Sequence, residues 1–220
     1  LLLYIPNRKG ENKMFRKEAM AVIGLGWLLV TFIGALPYLL VHPDCSIPDA
    51  LFESSSGLTT TGATVVGDLE SLPHALLFWR SFSQWIGGLG VVVFFVALLS
   101  FLGAGAKILY SNEASAHSTE LETSRIQVGV LRIFGVYIVL SIACTLTYHI
   151  LGMGWFDAAC HMFTTISTAG FSTHDESIAY FNNAGIEWSC IIFMAAGGTS
   201  FLMMLSLFRG HVRSKKDLAK

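Results

Sequence analysis

Two polar stretches, each centred on a glycine, recur 108 residues apart in a chain that is otherwise strongly apolar. The first reads Leu-Thr-Thr-Thr-Gly-Ala-Thr (residues 58–64) and the second reads Ile-Ser-Thr-Ala-Gly-Phe-Ser (residues 166–172). Asp49 and Asp157 keep the same spacing, so the repeat extends beyond the loops. Backbone that is neither helix nor barrel is tolerated at membrane depth only where protein buries it or where it lines a watery path. Two such stretches at matching positions therefore indicate an ion pathway.

The chemistry available to these stretches is coordination of a cation by backbone carbonyls. Rings of carbonyl oxygens can replace the hydration shell of a potassium ion. Glycine adopts a positive φ without a side-chain clash, which lets successive carbonyls point the same way, and threonine adds a hydroxyl. A short helix entering from outside would also direct its partly negative carbonyl end toward the membrane centre. One copy alone would be read as a flexible turn; two copies in register favour a filter.

The composition points to a membrane protein. Of the 220 residues, 53% are hydrophobic and 13% are charged, and the mean hydropathy is +0.60. Soluble domains carry roughly 25% charged residues. Stretches of about 20 apolar residues can cross a bilayer as helices. The chain has four of them, at residues 19–41, 82–102, 128–151 and 184–208.

Between the members of each pair of spans lies an apolar run that is too short to cross. These runs are Ile47–Leu58 and Trp155–Ile166, and we expect them to be re-entrant or buried helices. The predicted fold is therefore an all-α membrane protein with two span–pore helix–filter loop–span repeats. The predicted segments are a cytoplasmic N-terminal segment (1–18), a first repeat (19–102), a cytoplasmic loop (103–127), a second repeat (128–208) and a basic cytoplasmic tail (209–220).

Positive charges predict the orientation. All 14 Lys and Arg except Arg80 lie before the first span, in or beside the central loop, or after the fourth span. By the positive-inside rule, both termini and the central loop are cytoplasmic. The outer side then carries nine carboxylates, which would concentrate cations unless they simply form a solvated surface. They are Asp44, Asp49, Glu53, Asp68, Glu70, Asp157, Asp175, Glu176 and Glu187.

Arg80 is the ionisable residue that stands out, near the outer end of the second span. We hypothesise that it pairs with Glu53 or another outer carboxylate and braces the filter; the alternative is an arginine that snorkels to water. The glycine runs at residues 87–90 and 197–198 indicate close helix packing rather than a hinge. His161 lies in the second short helix and is expected to be structural, and His174-Asp175 are expected to cap or brace the second loop.

The remaining residues suggest no cofactor, metal centre or nucleic-acid partner. The four cysteines have no CxxC spacing, and the seven histidines form no HxxxH or HExxH pair. An intramembrane hydrolase would need Ser56 as nucleophile with a base such as His149 within hydrogen-bond reach, and the surrounding sequence does not resemble a nucleophile turn. We therefore do not expect an enzyme.

Several motifs together resemble the TrkH type of potassium uptake protein, within the Trk/Ktr/HKT transporters. They are Phe-Glu-Ser-Ser-Ser-Gly-Leu-Thr-Thr-Thr-Gly-Ala-Thr (52–64), Ser-Leu-Pro-His-Ala (71–75), Trp-Ile-Gly-Gly-Leu-Gly (85–90), Ala-Gly-Phe-Ser-Thr-His-Asp (169–175) and Ser-Ile-Ala-Tyr-Phe (177–181). The resemblance implies potassium uptake across a bacterial inner membrane, with K⁺ as the transported ion. It implies that Gly62 and Gly170 are filter glycines, flanked by Thr60, Thr61, Ala63, Thr168, Ala169 and Phe171. The carbonyls of Thr60, Thr61, Gly62, Thr168, Ala169 and Gly170 would then bind K⁺.

The same resemblance implies a homodimer and a cytosolic, TrkA-like nucleotide-binding regulatory subunit on the inner face. Members of the family have four repeats around one pore, whereas this sequence carries two. We expect either a fragment of a longer protein, which the absent start Met and the basic tail favour, or two copies that pair. The alternative function is a non-conducting regulatory or assembly unit of a K⁺ transporter, because two repeats alone cannot close a filter.

Overall fold

The computed structural model describes residues 16–42, 44–90 and 118–199, and the regular secondary structure within these ranges is all helical. The α-helices are α1 (Arg16–Val41), α2 (Ile47–Leu58), α3 (helical over residues 74–90), α4 (Ser118–Ile150), α5 (Trp155–Ile166) and α6 (Ala184–Gly198), with a short 3-10 helix at Ser177–Phe181. The sequence-based predictions for residues 1–15, 91–117 and 200–220 lie outside the described residues. They include most of the predicted cytoplasmic segments and the inner ends of the second and fourth spans.

The two short helices have the bounds that the sequence predicts. Helix α2 begins after Ser46, whose hydroxyl accepts a hydrogen bond from the Asp49 N–H at 3.3 Å and donates one to the Asp49 carboxylate at 2.5 Å. Pro48 lies in the first turn, where its missing N–H costs nothing. Helix α5 begins after Gly154 and has Asp157 in its first turn. Both helices are 12 residues long, too short to cross a bilayer.

Two of the long helices begin well before the predicted spans. Helix α3 begins at His74 rather than at residue 82, because the carbonyl of Pro73 already accepts from Leu76 and Leu77 at 2.8 and 3.2 Å. Helix α4 is already helical at Ser118, inside the predicted loop 103–127. Hydrophobicity alone marks where a helix enters the membrane rather than where it begins.

Two described helices are long and apolar enough to cross a membrane. They are Ile23–Val41, with a mean hydropathy of 1.9, and Ile133–Ile150, with a mean hydropathy of 1.8; Ala184–Gly198 is a shorter apolar helix. Large apolar side chains on these helices point outward; Leu40, for example, is 82% exposed and Ile150 is 81% exposed. Apolar surface of this extent is expected to face lipid or further protein.

Each repeat has its own core, and α3 joins the two. The first core gathers α1, α2 and the start of α3 around Tyr38, Ala50 and Leu76. The second gathers α4, α5 and α6 around Tyr148 and Ile166. From α3, Phe78, Phe82 and Trp85 surround the ring of Phe163, with centroid distances of 5.5–5.7 Å. The Trp85 indole N–H also donates to the Ser141 hydroxyl at 3.0 Å. Helix α3 therefore belongs to the first repeat in sequence and packs against the second.

Candidate functional site

The loops that follow α2 and α5 share one unusual backbone conformation. In the first loop Thr60 and Gly62 have φ values of 55° and 77°, and in the second Thr168 and Gly170 have φ values of 56° and 94°. A β-branched residue in the left-handed region is an outlier that costs about 1–3 kcal/mol. Because the same two positions are left-handed in both loops, the surrounding structure must enforce this conformation in each.

The same hydrogen bonds close the turn at the end of each short helix. The bonds are Thr60 N–H to Gly57 O (3.0 Å) and Thr61 N–H to Ser56 O (2.9 Å), matched by Thr168 N–H to Thr165 O (3.1 Å) and Ala169 N–H to Thr164 O (2.9 Å). This is the usual way to end a helix with a left-handed residue, a position that glycine normally takes. Threonine at this position keeps a hydroxyl and a carbonyl where the chain leaves the helix.

The first loop is held by side chains of its own short helix. The Ser56 hydroxyl donates to the carbonyl of Ala63 at 2.5 Å. One oxygen of Glu53 accepts from the Thr64 hydroxyl at 2.6 Å and from the Val65 N–H at 2.7 Å. The carbonyl of Ala63 is therefore directed at α2. It was not among the carbonyls predicted to bind the ion.

Arg80 and Glu53, predicted from the sequence as a pair, lie together in the interior. Nη2 of Arg80 is 3.5 Å from Oε2 of Glu53 and donates to the Thr64 hydroxyl at 3.1 Å. The two side chains are 1% and 0% exposed, so Arg80 does not snorkel to water. Its Cζ atom also lies 4.5 Å from the centroid of the Phe171 ring, a cation–π contact. Arg80 thus contacts both loops.

His161 occupies in the second repeat the place that Glu53 has in the first. Its Nδ1 lies 2.9 Å from the Asp157 carbonyl, and its Nε2 lies 3.0 Å from the Ser172 hydroxyl. Because a carbonyl can only accept, Nδ1 carries the proton and Nε2 accepts from Ser172. The expectation of a structural role is confirmed, since the side chain is 1% exposed with both ring nitrogens bonded. The spacing of 108 relates His161 to Glu53 and Ser172 to Thr64, so the sequence contained this correspondence.

The sequence predicts that His174 and Asp175 cap or brace the second loop, and in the structure they also connect it to the first repeat. The Asp175 carboxylate accepts from the Leu69 N–H at 2.9 Å. The His174 N–H donates to the Ser172 hydroxyl at 3.0 Å, and its ring stacks on Tyr180 with a centroid distance of 3.6 Å. The His174 ring nitrogens also lie 3.6 Å from a Glu70 oxygen and 3.5 Å from an Asp157 oxygen.

Three glycines around the loops lie so close to a carbonyl of a neighbouring segment that no side chain would fit. A Cβ on Gly62 would overlap the carbonyl of Ala169, so the two loops meet at this point. A Cβ on Gly87 would overlap the last carbonyl of α2, and one on Gly197 would overlap the last carbonyl of α5. Close packing at the glycine runs is thereby confirmed at Gly87 and Gly197. A Cβ on Gly170, in contrast, would meet no described atom within 4 Å.

Gln84 makes a contact with the second loop that the sequence did not reveal. Its side-chain oxygen accepts from the Phe171 N–H at 3.1 Å, and the residue is fully buried. The sequence showed only a polar residue within an apolar span. Such residues also join neighbouring membrane helices far from any ion path, so this signal alone did not single out Gln84.

The hydrolase alternative has no support in the geometry. The Ser56 hydroxyl donates to the Ala63 carbonyl, while Nδ1 of His149 lies 3.0 Å from the Met153 carbonyl. These side chains take part in separate local contacts. Among the described residues there is also no group of three or more His, Cys, Asp or Glu side chains that could hold a metal ion.

Comparison with known proteins identifies the family to which this chain belongs. The chain matches the TrkH family, described as cation transport protein, over residues 2–218. The Trk system potassium uptake protein TrkH of Halomonas elongata is 40% identical over 94% of this chain, and that of Escherichia coli K12 is 40% identical over 96%. The crystal structure of the potassium transporter TrkH from Vibrio parahaemolyticus has a TM-score of 0.77 and 34% identity, covering 95% of this chain and 42% of its own. The chain spans 44% of the length of the two curated relatives. It belongs to the TrkH family of cation transport proteins.

Proposed function

We propose that this chain forms half of a potassium permeation path in a bacterial inner membrane. The observation that carries the proposal is the pair of matching loops, left-handed at Thr60 and Gly62 and at Thr168 and Gly170, which meet where Gly62 approaches Ala169. Family membership supports potassium as the ion, because the similar proteins are named potassium uptake proteins. The role is transport of an ion rather than catalysis.

The proposed ligands are six backbone carbonyls. They belong to Thr60, Thr61, Gly62, Thr168, Ala169 and Gly170. Left-handed residues that alternate with right-handed or extended ones turn successive carbonyls to the same side, which suits an ion path. Ala63 and Phe171 then anchor the loops to the surrounding helices instead of binding the ion. Ala63 does so through its bond to Ser56 of α2, and Phe171 through its contacts with α3.

Corresponding residues of the two loops are buried to different extents, which supports a ring of loops that continues beyond these two. Ser172 and Thr173 of the second loop are 7% and 3% exposed. Their counterparts in the first loop, Thr64 and Val65, are exposed. The space beside Gly170 is open in the described part of the chain, whereas the space beside Gly62 is filled by the other loop. Further loops, placed beside Gly170 and beside the exposed Thr64 and Val65, would complete the filter. They would come from a longer chain or from a second copy.

The ion pair Glu53–Arg80 is proposed to brace this filter. Glu53 binds the first loop at Thr64 and Val65, and Arg80 reaches from Thr64 to Phe171 of the second loop. Neither side chain is proposed to touch the ion.

The distribution of charge supports the proposed orientation, with both termini cytoplasmic and the two loops opening outward. Through the family resemblance, the complete transporter is proposed to be a homodimer that binds a TrkA-like nucleotide-binding subunit on its inner face. Basic inner segments suit such a partner and would equally suit anionic lipids.

The test is Rb⁺ uptake in bacteria that lack their own potassium transporters. Cells would express this chain, Gly62→Ala or the control Gly67→Ala, whose Cβ would meet nothing within 4 Å. If two copies of this chain complete the filter, we expect uptake with the unaltered chain and with Gly67→Ala, and a loss of about tenfold or more with Gly62→Ala, since such backbone strain costs about 1–3 kcal/mol. Absence of uptake with the chain confirmed in the membrane would show that two copies do not complete a filter, so that the path requires a longer chain or the role is non-conducting.

A further inference from the structure

The face of α3 that turns toward the second loop is built from buried polar side chains. Arg80, Ser83 and Gln84 are spaced i, i+3 and i+4, so they share one face of the helix. They are 1%, 2% and 0% exposed. The proposed function assigns a role to Arg80 but none to Gln84.

Gln84 makes one bond that spans the two repeats. Its Oε1 accepts from the Phe171 N–H at 3.1 Å, across 87 residues of sequence. Since this oxygen accepts, the orientation of the side-chain amide is defined. Its Nε2 is buried and has no hydrogen-bond partner among the described residues. The bond to Phe171 is therefore the one side-chain hydrogen bond that Gln84 makes within the described part of the chain.

The planarity of the peptide bond converts this contact into a direction for a carbonyl. The N–H of Phe171 and the C=O of Gly170 belong to one planar trans unit, so they point in opposite directions. With the N–H directed at Gln84, the Gly170 carbonyl must point away from α3. Gly170 itself has φ of 94° and is exposed, so no side chain of its own restrains the peptide.

The first loop is held differently. Its restraints, Ser56 to the Ala63 carbonyl and Glu53 to Thr64 and Val65, come from the short helix of the same repeat. The second loop is held by its own short helix, through His161 to Ser172 and Asp157 to Thr173. It is held in addition by Gln84 from a helix of the other repeat. That helix is itself fastened to α4 by Trp85 and Ser141, at 3.0 Å.

We propose that Gln84 is a positioning residue that directs the Gly170 carbonyl and thereby sets the preference for K⁺ over Na⁺. This inference rests on the proposed function, since it assigns a role in the filter to Gly170. Carbonyls that replace a hydration shell discriminate between ions through their positions and their number. A peptide free to rotate would accommodate the smaller ion better.

The test compares Gln84→Met, which keeps the length of the side chain but removes the acceptor, with Gln84→Glu, which keeps an acceptor oxygen. Ser81→Ala is the matched control, because Ser81 is equally buried on α3 and its hydroxyl donates to Leu77 within the same helix. The first readout is hydrogen–deuterium exchange of peptides covering residues 167–173 in the purified full chain. The second is the Na⁺ concentration that halves Rb⁺ uptake in cells.

We expect Gln84→Met to accelerate exchange in residues 167–173 by about two- to tenfold, the effect of losing one net hydrogen bond. The Na⁺ concentration for half inhibition should fall by a similar factor. Gln84→Glu should keep slow exchange, and Ser81→Ala should match the unaltered chain in both readouts.

Three results would overturn parts of this inference separately. Unchanged exchange in Gln84→Met would show that Gln84 does not hold the loop, whatever transport does. Faster exchange with unchanged Na⁺ competition would reject the role in ion preference. Absence of uptake by the unaltered chain would reject a filter completed by two copies of this chain, and with it an ion preference set within such a pair, while the exchange measurement would still decide whether Gln84 positions the loop.

Discussion

Arg80 is a side chain outside the loops that contacts both of them. It is charged, 1% exposed, and in contact with Glu53, Thr64 and Phe171. Its Nε and Nη1 atoms are buried and have no hydrogen-bond partner among the described residues. The polar contacts of the guanidinium in this part of the chain are therefore made through Nη2. A buried charge is strongly dependent on its partner, because removing one member leaves the other unpaired in a medium of low dielectric constant.

Replacing Arg80 by glutamine should therefore cost about 3–5 kcal/mol of stability, the usual effect of breaking a buried ion pair. We expect a lower melting temperature in detergent and a weaker preference for K⁺ over Na⁺ in Rb⁺ uptake. Glu53→Gln should have the same direction of effect, and the double variant should lose less than the sum of the two. The control is Glu187→Gln, an exposed carboxylate. If Arg80→Gln left both expression and ion preference unchanged, the bracing role would be wrong.

At the scale of elements, the short helices are fixed in place by long helices that pass against their carbonyl ends. Gly87 of α3 lies against the last carbonyl of α2, and Gly197 of α6 lies against the last carbonyl of α5. The carbonyl end of each short helix carries partial negative charge. The glycines allow α3 and α6 to pass close to these ends, and the ends determine where the loops begin.

Gly87→Ala tests this contact. Its Cβ would overlap the Leu58 carbonyl, so α3 must move away from α2, and overpacking of this kind costs about 1–3 kcal/mol. Gly24→Ala in α1 is the control, because its Cβ would meet nothing within 4 Å and alanine favours a helix by up to about 1 kcal/mol. Thermal unfolding in detergent should show a lower midpoint for the first variant and an equal or higher one for the second. Equal midpoints for Gly87→Ala and the unaltered chain would refute close packing here.

At the scale of the whole molecule, two separately packed repeats are joined at two levels. Near the loops the joint is α3, whose Phe78, Phe82 and Trp85 surround Phe163 of α5. After the second loop the joint is formed by Asp175, which accepts from the backbone of Leu69 in the first repeat, and by His174 beside Glu70. Both joints involve residues adjacent to the loops or packed against them, so we expect the relative position of the loops to depend on both.

Asp175→Ala should weaken the second joint. It removes the acceptor of the Leu69 N–H; because Asp175 is exposed and water can take its place, we expect a cost of about 0.5–1.5 kcal/mol, the net value of one hydrogen bond. Limited proteolysis should then cut faster within residues 64–73, with a lower melting temperature. Asp175→Asn retains an acceptor oxygen and should behave nearly as the unaltered chain, as should Glu176→Ala at the exposed neighbouring position. Equal cleavage rates for Asp175→Ala and Glu176→Ala would contradict the joint.

Features that depend on neighbouring residues could be predicted from the sequence. The short helices have the predicted bounds because an apolar run, a capping serine or glycine and a following turn act within a few residues of one another. The repeat of 108 predicted the matching loops; it also relates Glu53 to His161, a correspondence recognised only from the structure. Which side chains hold the loops depends instead on tertiary packing. Gln84 with Phe171, Arg80 with Phe171 and Gly62 with Ala169 are contacts between residues about 90 or more positions apart. Such contacts arise from the way α3 packs between two cores, which no local pattern of residues encodes.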